Sequence, residues 1–261
     1  MFAVCSPSDY RSDVVEAQLV EKTIRSFNTW SFKREQPSSI EQLRNCVAQA
    51  IARRSPLRFV LYWGKGPRQN IAVPDLQCLT FLSTMARSIG QTYAPGAHMT
   101  LICTDTHARH NGHAKSPITR YFNAIGRAAF EHGIDSCRLS ALVAALPPKT
   151  PAGEPPLQTD VLNQLMRSAA RWYRGNGDIE AGARQYYAMN MIEKDAVAQA
   201  LPDAIFITFN GSDIRALFPE TLPIFYMYSL KRGTAVKPWF LTSSGGDAVA
   251  KLSAAPNVIR R

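Results

Sequence analysis

The sequence predicts an α/β fold, and three observations carry that expectation. Short runs of apolar, β-branched and aromatic residues at 57–63, 99–103 and 204–209 read as buried strands. The stretches after the first two place apolar residues at helical spacing: Leu76, Leu79, Leu82, Met85 and Ile89, then Ile118, Phe122, Ile125 and Ala129. Strands that alternate with helices in this way build parallel βαβ units. The expected architecture is therefore three-layer and Rossmann-like, a mostly parallel sheet with helices on both faces and a mixed C-terminal edge. One α/β domain spans residues 1–261, with residues 1–55 able to form a small helical subdomain and a Pro-rich loop at 146–157.

The elements follow in order. Residues 13–26 form an amphipathic helix through Val15, Leu19 and Ile24. Ser38-Ser39 ahead of Glu41-Gln42 is an N-cap signal. The helix it opens carries Ile40, Leu43, Val47 and Ile51 on one stripe and stops before Pro56. After the strand at 57–63, Gly64 to Asn70 is rich in turn residues, and Pro74 suits the first turn of the next helix. Pro95-Gly96 turns the chain into the strand at 99–103, and Ser116-Pro117 opens a helix that ends near Gly133. Residues 134–143 hold a short strand. PPKTPAGEPP at 147–156 cannot join a ladder. Two helices at 157–173 and 179–200 are split by Gly175-Asn176-Gly177, and strands are expected at 204–209, 223–230 and 239–241.

Composition narrows the function classes. With 261 residues, 46% of them hydrophobic, the chain is long enough to bury a substantial core. No apolar run reaches the ~20 residues a membrane helix needs. The opening MFAVCSPSDYRSD lacks a basic segment followed by an apolar one, and the five scattered cysteines suit reduced thiols, so a cytoplasmic protein is expected. The net charge of +10 favours anionic partners. Because Arg and Lys are spread from Arg11 to Arg261, a phosphorylated small molecule is the expected partner, ahead of a nucleic-acid track, with tRNA kept as a rival. There is no GxGxxG after a strand and no GxxxxGK[ST], so no nucleotide cofactor is expected.

The candidate site follows the strand at 99–103, which empties into a polar segment carrying Asp105, His107, Arg109, His110, Asn111 and His113. Ligands of open α/β sheets bind outside the carboxyl ends of the strands. Asp105, His107 and His110 are candidate catalytic groups for acid–base work, with Arg109, Asn111 and His113 contacting substrate. The segment reads as a loop, so the HxxHxxH spacing is not that of a helical metal site, and no metal is expected. At the end of the first strand, Gly64-Lys65-Gly66-Pro67-Arg68 offers close backbone approach and positive charge, making Lys65 a candidate catalytic residue and Arg68 a candidate anion ligand. Tyr186, Asn190 and Glu193 are spaced to share a helix face, beside Tyr187 as a candidate substrate contact. Such a set is more often a core tyrosine with a polar edge. Asn210, Lys237 and Trp239 are further candidate contacts at late strand ends.

Together these pieces resemble the isonitrile synthase family, also described as the pyoverdine/dityrosine biosynthesis family, as a divergent member. The matching text is Phe59-Val60-Leu61 with Lys65-Gly66-Pro67, Val73-Pro74-Asp75, Tyr93-Ala94-Pro95-Gly96-Ala97, Thr104-Asp105, Pro202-Asp203-Ala204-Ile205 and Lys237-Pro238-Trp239. Asn210 and Phe240 stand where the family has His, and Thr106 stands where it has Gly. The resemblance implies a Rossmann-like enzyme that converts the amine of an aromatic amino acid to an isonitrile, taking the carbon from ribulose 5-phosphate. Lys65 would then bind phosphate or engage the sugar carbonyl, and a neighbouring His would move protons. The rival is a tRNA-dependent enzyme of the cyclodipeptide-synthase kind, although its nucleophilic Ser is replaced here by the Gly64-Lys65-Gly66 run. A non-catalytic protein that binds an anionic ligand is a third class, and the concentration of titratable groups at two strand ends argues against it.

Overall fold

The computed structural model describes residues 7–64, 70–147, 157–173 and 177–227. Five strands form one sheet: β1 (Leu57–Trp63), β2 (Ala97–Cys103), β3 (Ile134–Arg138), β4 (Ala204–Thr208) and β5 (Ile224–Tyr226). Their order is β3-β2-β1-β4-β5 and every pairing between them is parallel. The chain builds outward from β1 through β2 to β3, then crosses back to lay β4 on the other side of β1. This is the doubly wound arrangement, with its switch point between β1 and β4. Among the described residues the antiparallel character at the C-terminal edge is one bridge, Lys33 with Met227. There the segment after the first helix lies along β5: Arg34 N–H donates to the Tyr226 carbonyl, Ser38 N–H to the Ile224 carbonyl, and Ile224 N–H to Ser38 Oγ. Backbone groups that an edge strand would leave open are thereby covered.

Helices cover both faces. One face carries α1 (Pro7–Phe27), α2 (Ile40–Ala52), α3 (Val73–Gly90) and α5 (Lys115–Glu131), packed on Phe59, Leu61, Trp63, Leu101 and Ile205. Val20, Ile24 and Phe27 of α1 belong to this core, and Phe27 meets Phe59 edge-on at 5.3 Å. The opposite face, built on Val60, Ile102, Phe206 and Ala204, is covered by α6 (Leu139–Ala144) and α8 (Ile179–Ala200). A further helix, α7 (Thr159–Trp172), packs Val161, Leu162 and Leu165 against Ala183, Tyr186 and Tyr187 of α8.

Local chemistry explains most boundaries. Ser39 caps α2 by accepting from Gln42 N–H at 3.1 Å, and Pro74 sits in the first turn of α3. Gly96 and Gly133, at φ +70° and +68°, take the left-handed turns into β2 and β3. The stretch 134–143 holds the expected short strand, β3, followed by α6. Two details differ from the sequence expectation. Leu76 and Ile40, each in the first turn of its helix, are exposed. The segment after β2 is a short helix, α4 (Asp105–His110), which turns out at Asn111-Gly112 with Gly112 at φ +83°. The Pro-rich stretch at 148–156 and the expected strand at 239–241 lie outside the described residues. No helix among the described residues is long and apolar enough to cross a membrane.

Candidate active site

Winding the segment after β2 into α4 places His107 and His110 three residues apart, on the side that faces α8. Thr104 anchors the entry, since its N–H and its hydroxyl both donate to the Trp63 carbonyl at the end of β1. His107 is thereby held at the carboxyl ends of β1 and β2, on the α8 face of the sheet.

There His107 Nε2 meets Glu193 Oε2 at 2.6 Å, and the two side chains are only 3% and 2% exposed. The Tyr186 hydroxyl lies 3.4 Å from His107 Nδ1. Glu193 and Tyr186 thus hold the imidazole from its two ring nitrogens. Burial and the Glu193 charge push the phenols of Tyr62 and Tyr186 well above their ordinary range, which keeps both as hydroxyl donors. Tyr62 closes the other side of the imidazole, edge-on at 5.7 Å, and rests on Phe206 of β4 at 5.0 Å. Asn190 ties the helix beneath by donating to the Tyr186 carbonyl at 2.6 Å.

His110 extends the cluster. Its ring lies 5.8 Å from Tyr186 and 5.2 Å from Tyr173, and it hydrogen-bonds to the Gly182 backbone. Desolvation lowers its pKa, so it is neutral at pH 7. A Cβ on Gly182 would fall 2.6 Å from the Tyr173 ring, so only glycine lets that ring close over α8. The result is a buried acid–base group of Tyr62, His107, His110, Tyr186, Asn190 and Glu193 with largely aromatic walls.

The other sequence candidates lie elsewhere. Asp105 turns to α6: Oδ1 accepts from Ser140 N–H at 3.0 Å and Oδ2 from the Ser140 hydroxyl at 2.5 Å. It thereby caps that helix and braces it to α4. Arg109 is exposed, 3.9 Å from Asp105, and His113 is exposed beyond the turn. Asn111 is buried and closes α4 by donating its backbone N–H to the His107 carbonyl. Tyr187 is buried in the cluster of α7 and α8 side chains. Asn210 follows β4, its N–H donating to Thr208 Oγ1 at 3.0 Å. Lys65, Arg68, Lys237 and Trp239 lie outside the described residues.

Two features had no counterpart among the sequence candidates. Tyr62 is one; its place was legible only from strand alternation, which turns Val60 and Tyr62 to the α8 face and Phe59, Leu61 and Trp63 to the other. The second is a buried support for the start of α3, on the opposite face. Asp75 accepts from Ala72 N–H at 2.8 Å and from the Tyr121 hydroxyl at 3.2 Å, and Trp63 Nε1–H donates to that hydroxyl at 3.4 Å. No group of three or more His, Cys, Asp or Glu placed to hold a metal occurs among the described residues. An open cleft of about 680 Å³ along α5 and β3 is walled by Phe122, Asn123, Arg127 and Arg138 and includes none of the acid–base cluster.

The fold has counterparts among solved structures. PvcA from Pseudomonas aeruginosa superposes with a TM-score of 0.55 over 80% of this chain and 92% of its own, at 15% identity. Tyrosyl-tRNA synthetase from Archaeoglobus fulgidus, complexed with L-tyrosine, superposes with a TM-score of 0.50 over 87% of this chain and 69% of its own, at 14% identity. At these identities the likeness is one of fold, and it establishes the Rossmann-like α/β class. No family model matches the chain, and neither does any curated protein.

Proposed function

We propose that this chain is an isonitrile-synthase-like biosynthetic enzyme of secondary metabolism, active in the cytoplasm. It converts the amine of an aromatic amino acid to an isonitrile, with a pentose phosphate such as ribulose 5-phosphate as the carbon donor. The observation that carries the reading is the buried His107–Glu193 pair, held by Tyr186 at the carboxyl ends of β1 and β2. Joining a primary amine to a sugar carbonyl requires that the ammonium lose a proton and that the departing oxygen gain one. An imidazole held between a carboxylate and a phenol can take and return that proton at a buried position. The ordered motifs shared with the isonitrile synthase family and the fold likeness to PvcA support the same reading. Lys65 and Arg68 are the groups assigned to the phosphate. The aromatic walls suit an aromatic side chain, and the synthetase neighbour holds L-tyrosine in a related fold.

A second reading, a tRNA-dependent transferase, is favoured by that neighbour together with the net charge of +10. One experiment separates the two: purified protein is incubated with ribulose 5-phosphate and a pool of amino acids, and products are resolved by mass spectrometry. The first reading predicts an amino acid that has gained one carbon and lost two hydrogens. An unchanged pool, together with a salt-sensitive gel shift of tRNA, would replace it with the second.

A further inference from the structure

Buried polar atoms are almost always hydrogen-bonded, so those that are not call for a ligand or a water. Beside His107 three have no partner among the described residues: the Tyr62 hydroxyl, His110 Nε2 and Glu193 Oε1. They surround one imidazole: the Tyr62 ring lies 5.7 Å from that of His107, Glu193 Oε2 lies 2.6 Å from His107 Nε2, and the His110 ring lies 5.8 Å from Tyr186, which is itself 5.0 Å from His107. Their chemistry is that of acceptors. His110 is neutral, and its hydrogen bond to the Gly182 backbone uses the other ring nitrogen, so Nε2 carries a lone pair. Glu193 Oε1 is the unused oxygen of a carboxylate that is 2% exposed. The tyrosine oxygen can accept as well as donate.

Charge sharpens the inference. Among the described residues Glu193 pairs with no Lys or Arg, and its one hydrogen-bond partner is His107, at Oε2, which leaves Oε1 open. A buried carboxylate oxygen left without a donor is costly. We propose that Glu193 Oε1 and His110 Nε2, with the Tyr62 hydroxyl, form a seat for the free primary ammonium group of the substrate. An ammonium brings three donors and one positive charge, matching three acceptor sites and one negative charge. A carboxylate would be repelled there, and an N-acylated amine carries neither the charge nor enough donors. The proposal rests on the functional reading above in placing the amine beside His107, but it is a statement about binding and needs no carbon donor.

The test is titration calorimetry on the whole chain, without pentose phosphate, using L-tyrosine, tyramine, des-amino tyrosine and N-acetyl-L-tyrosine. The two ammonium compounds should bind roughly ten- to hundredfold more tightly than the other two, the factor expected for a charge-assisted hydrogen bond. Glu193→Gln, which keeps the shape and removes the charge, should erase that preference while still melting cooperatively. Equal binding of des-amino tyrosine, failure of both ammonium compounds to bind, or a preference that survives in Glu193→Gln would each overturn the proposal. Isonitrile formation by wild-type protein that shows no such preference would leave the functional reading standing and remove the seat. An ammonium preference without any isonitrile product would do the reverse.

Discussion

Removing Glu193 should cost far more than removing an ordinary surface carboxylate, and the structure gives the size. Its 2.6 Å bond to His107 joins two side chains that are 3% and 2% exposed, so solvent cannot replace either partner. A hydrogen bond to a charged group contributes about 1.5–3 kcal/mol, and breaking a buried pair by deleting one member costs about 3–5 kcal/mol, because the other is left desolvated and unpaired. Glu193→Ala should therefore lose about 3–5 kcal/mol, which for a domain of this size lowers Tm by roughly 6–20 °C. Glu193→Gln, which retains an oxygen for the His107 N–H, should lose only about 1–2 kcal/mol. Urea denaturation followed by circular dichroism measures both, provided the slope with denaturant stays constant. A double-mutant cycle with His107→Ala should give a coupling of about 1.5–3 kcal/mol. Additivity within about 0.5 kcal/mol would refute the reasoning, since it would mean that the pair does not interact in solution.

Three further outcomes are expected. Gly182→Ala should destabilise by up to about 2 kcal/mol, because overpacking the Tyr173 ring costs about 1–3 kcal/mol and better helix propensity returns about 1; a melting temperature that rises would show that the ring yields freely. Burial depresses the His110 pKa, so between its folded value and the ordinary value near 6.5 the unfolded chain binds more protons than the folded one. The stability this neutral imidazole contributes is therefore present above that ordinary value and lost as pH falls through the window, and His110→Asn should flatten the dependence in a series of denaturation curves. Asp105→Ala should cost about 1–3 kcal/mol through the lost cap on α6, and adding Ser140→Ala should cost little more. Independent, additive losses at those two positions would contradict the bracing role.

The sheet was legible because β1, β2 and β4 each contain a short apolar run, at 59–63, 101–103 and 204–207, the mark of strand segments buried on both faces. The rim was legible for the same reason: polarity begins abruptly at Thr104 and at Asn210. What local pattern could not supply was direction. Asp105 and His107 look alike as candidates in the sequence, yet one turns outward to cap α6 and the other inward to Glu193. That choice was hidden because Asn111-Gly112 suggested a loop, whereas six residues wind into α4 and fix which side chains share a face. Likewise Tyr186, Asn190 and Glu193 were visible as one helical face, but only the fold shows that Tyr186 lies beside the imidazole. The pairing of residues 107 and 193 spans most of the fold, so no local pattern carries it.

The most direct test of the central claim compares two substitutions in the isonitrile-forming assay. If the reaction runs at the buried pair, His107→Gln should lower the rate of product formation by roughly a hundredfold or more, as expected for loss of a general acid–base group. Asp105→Asn, measured well below its melting temperature, should retain most of the rate. A His107→Gln variant as fast as wild type, with Asp105→Asn inactive though folded, would contradict the account and move the chemistry to the outer side of α4.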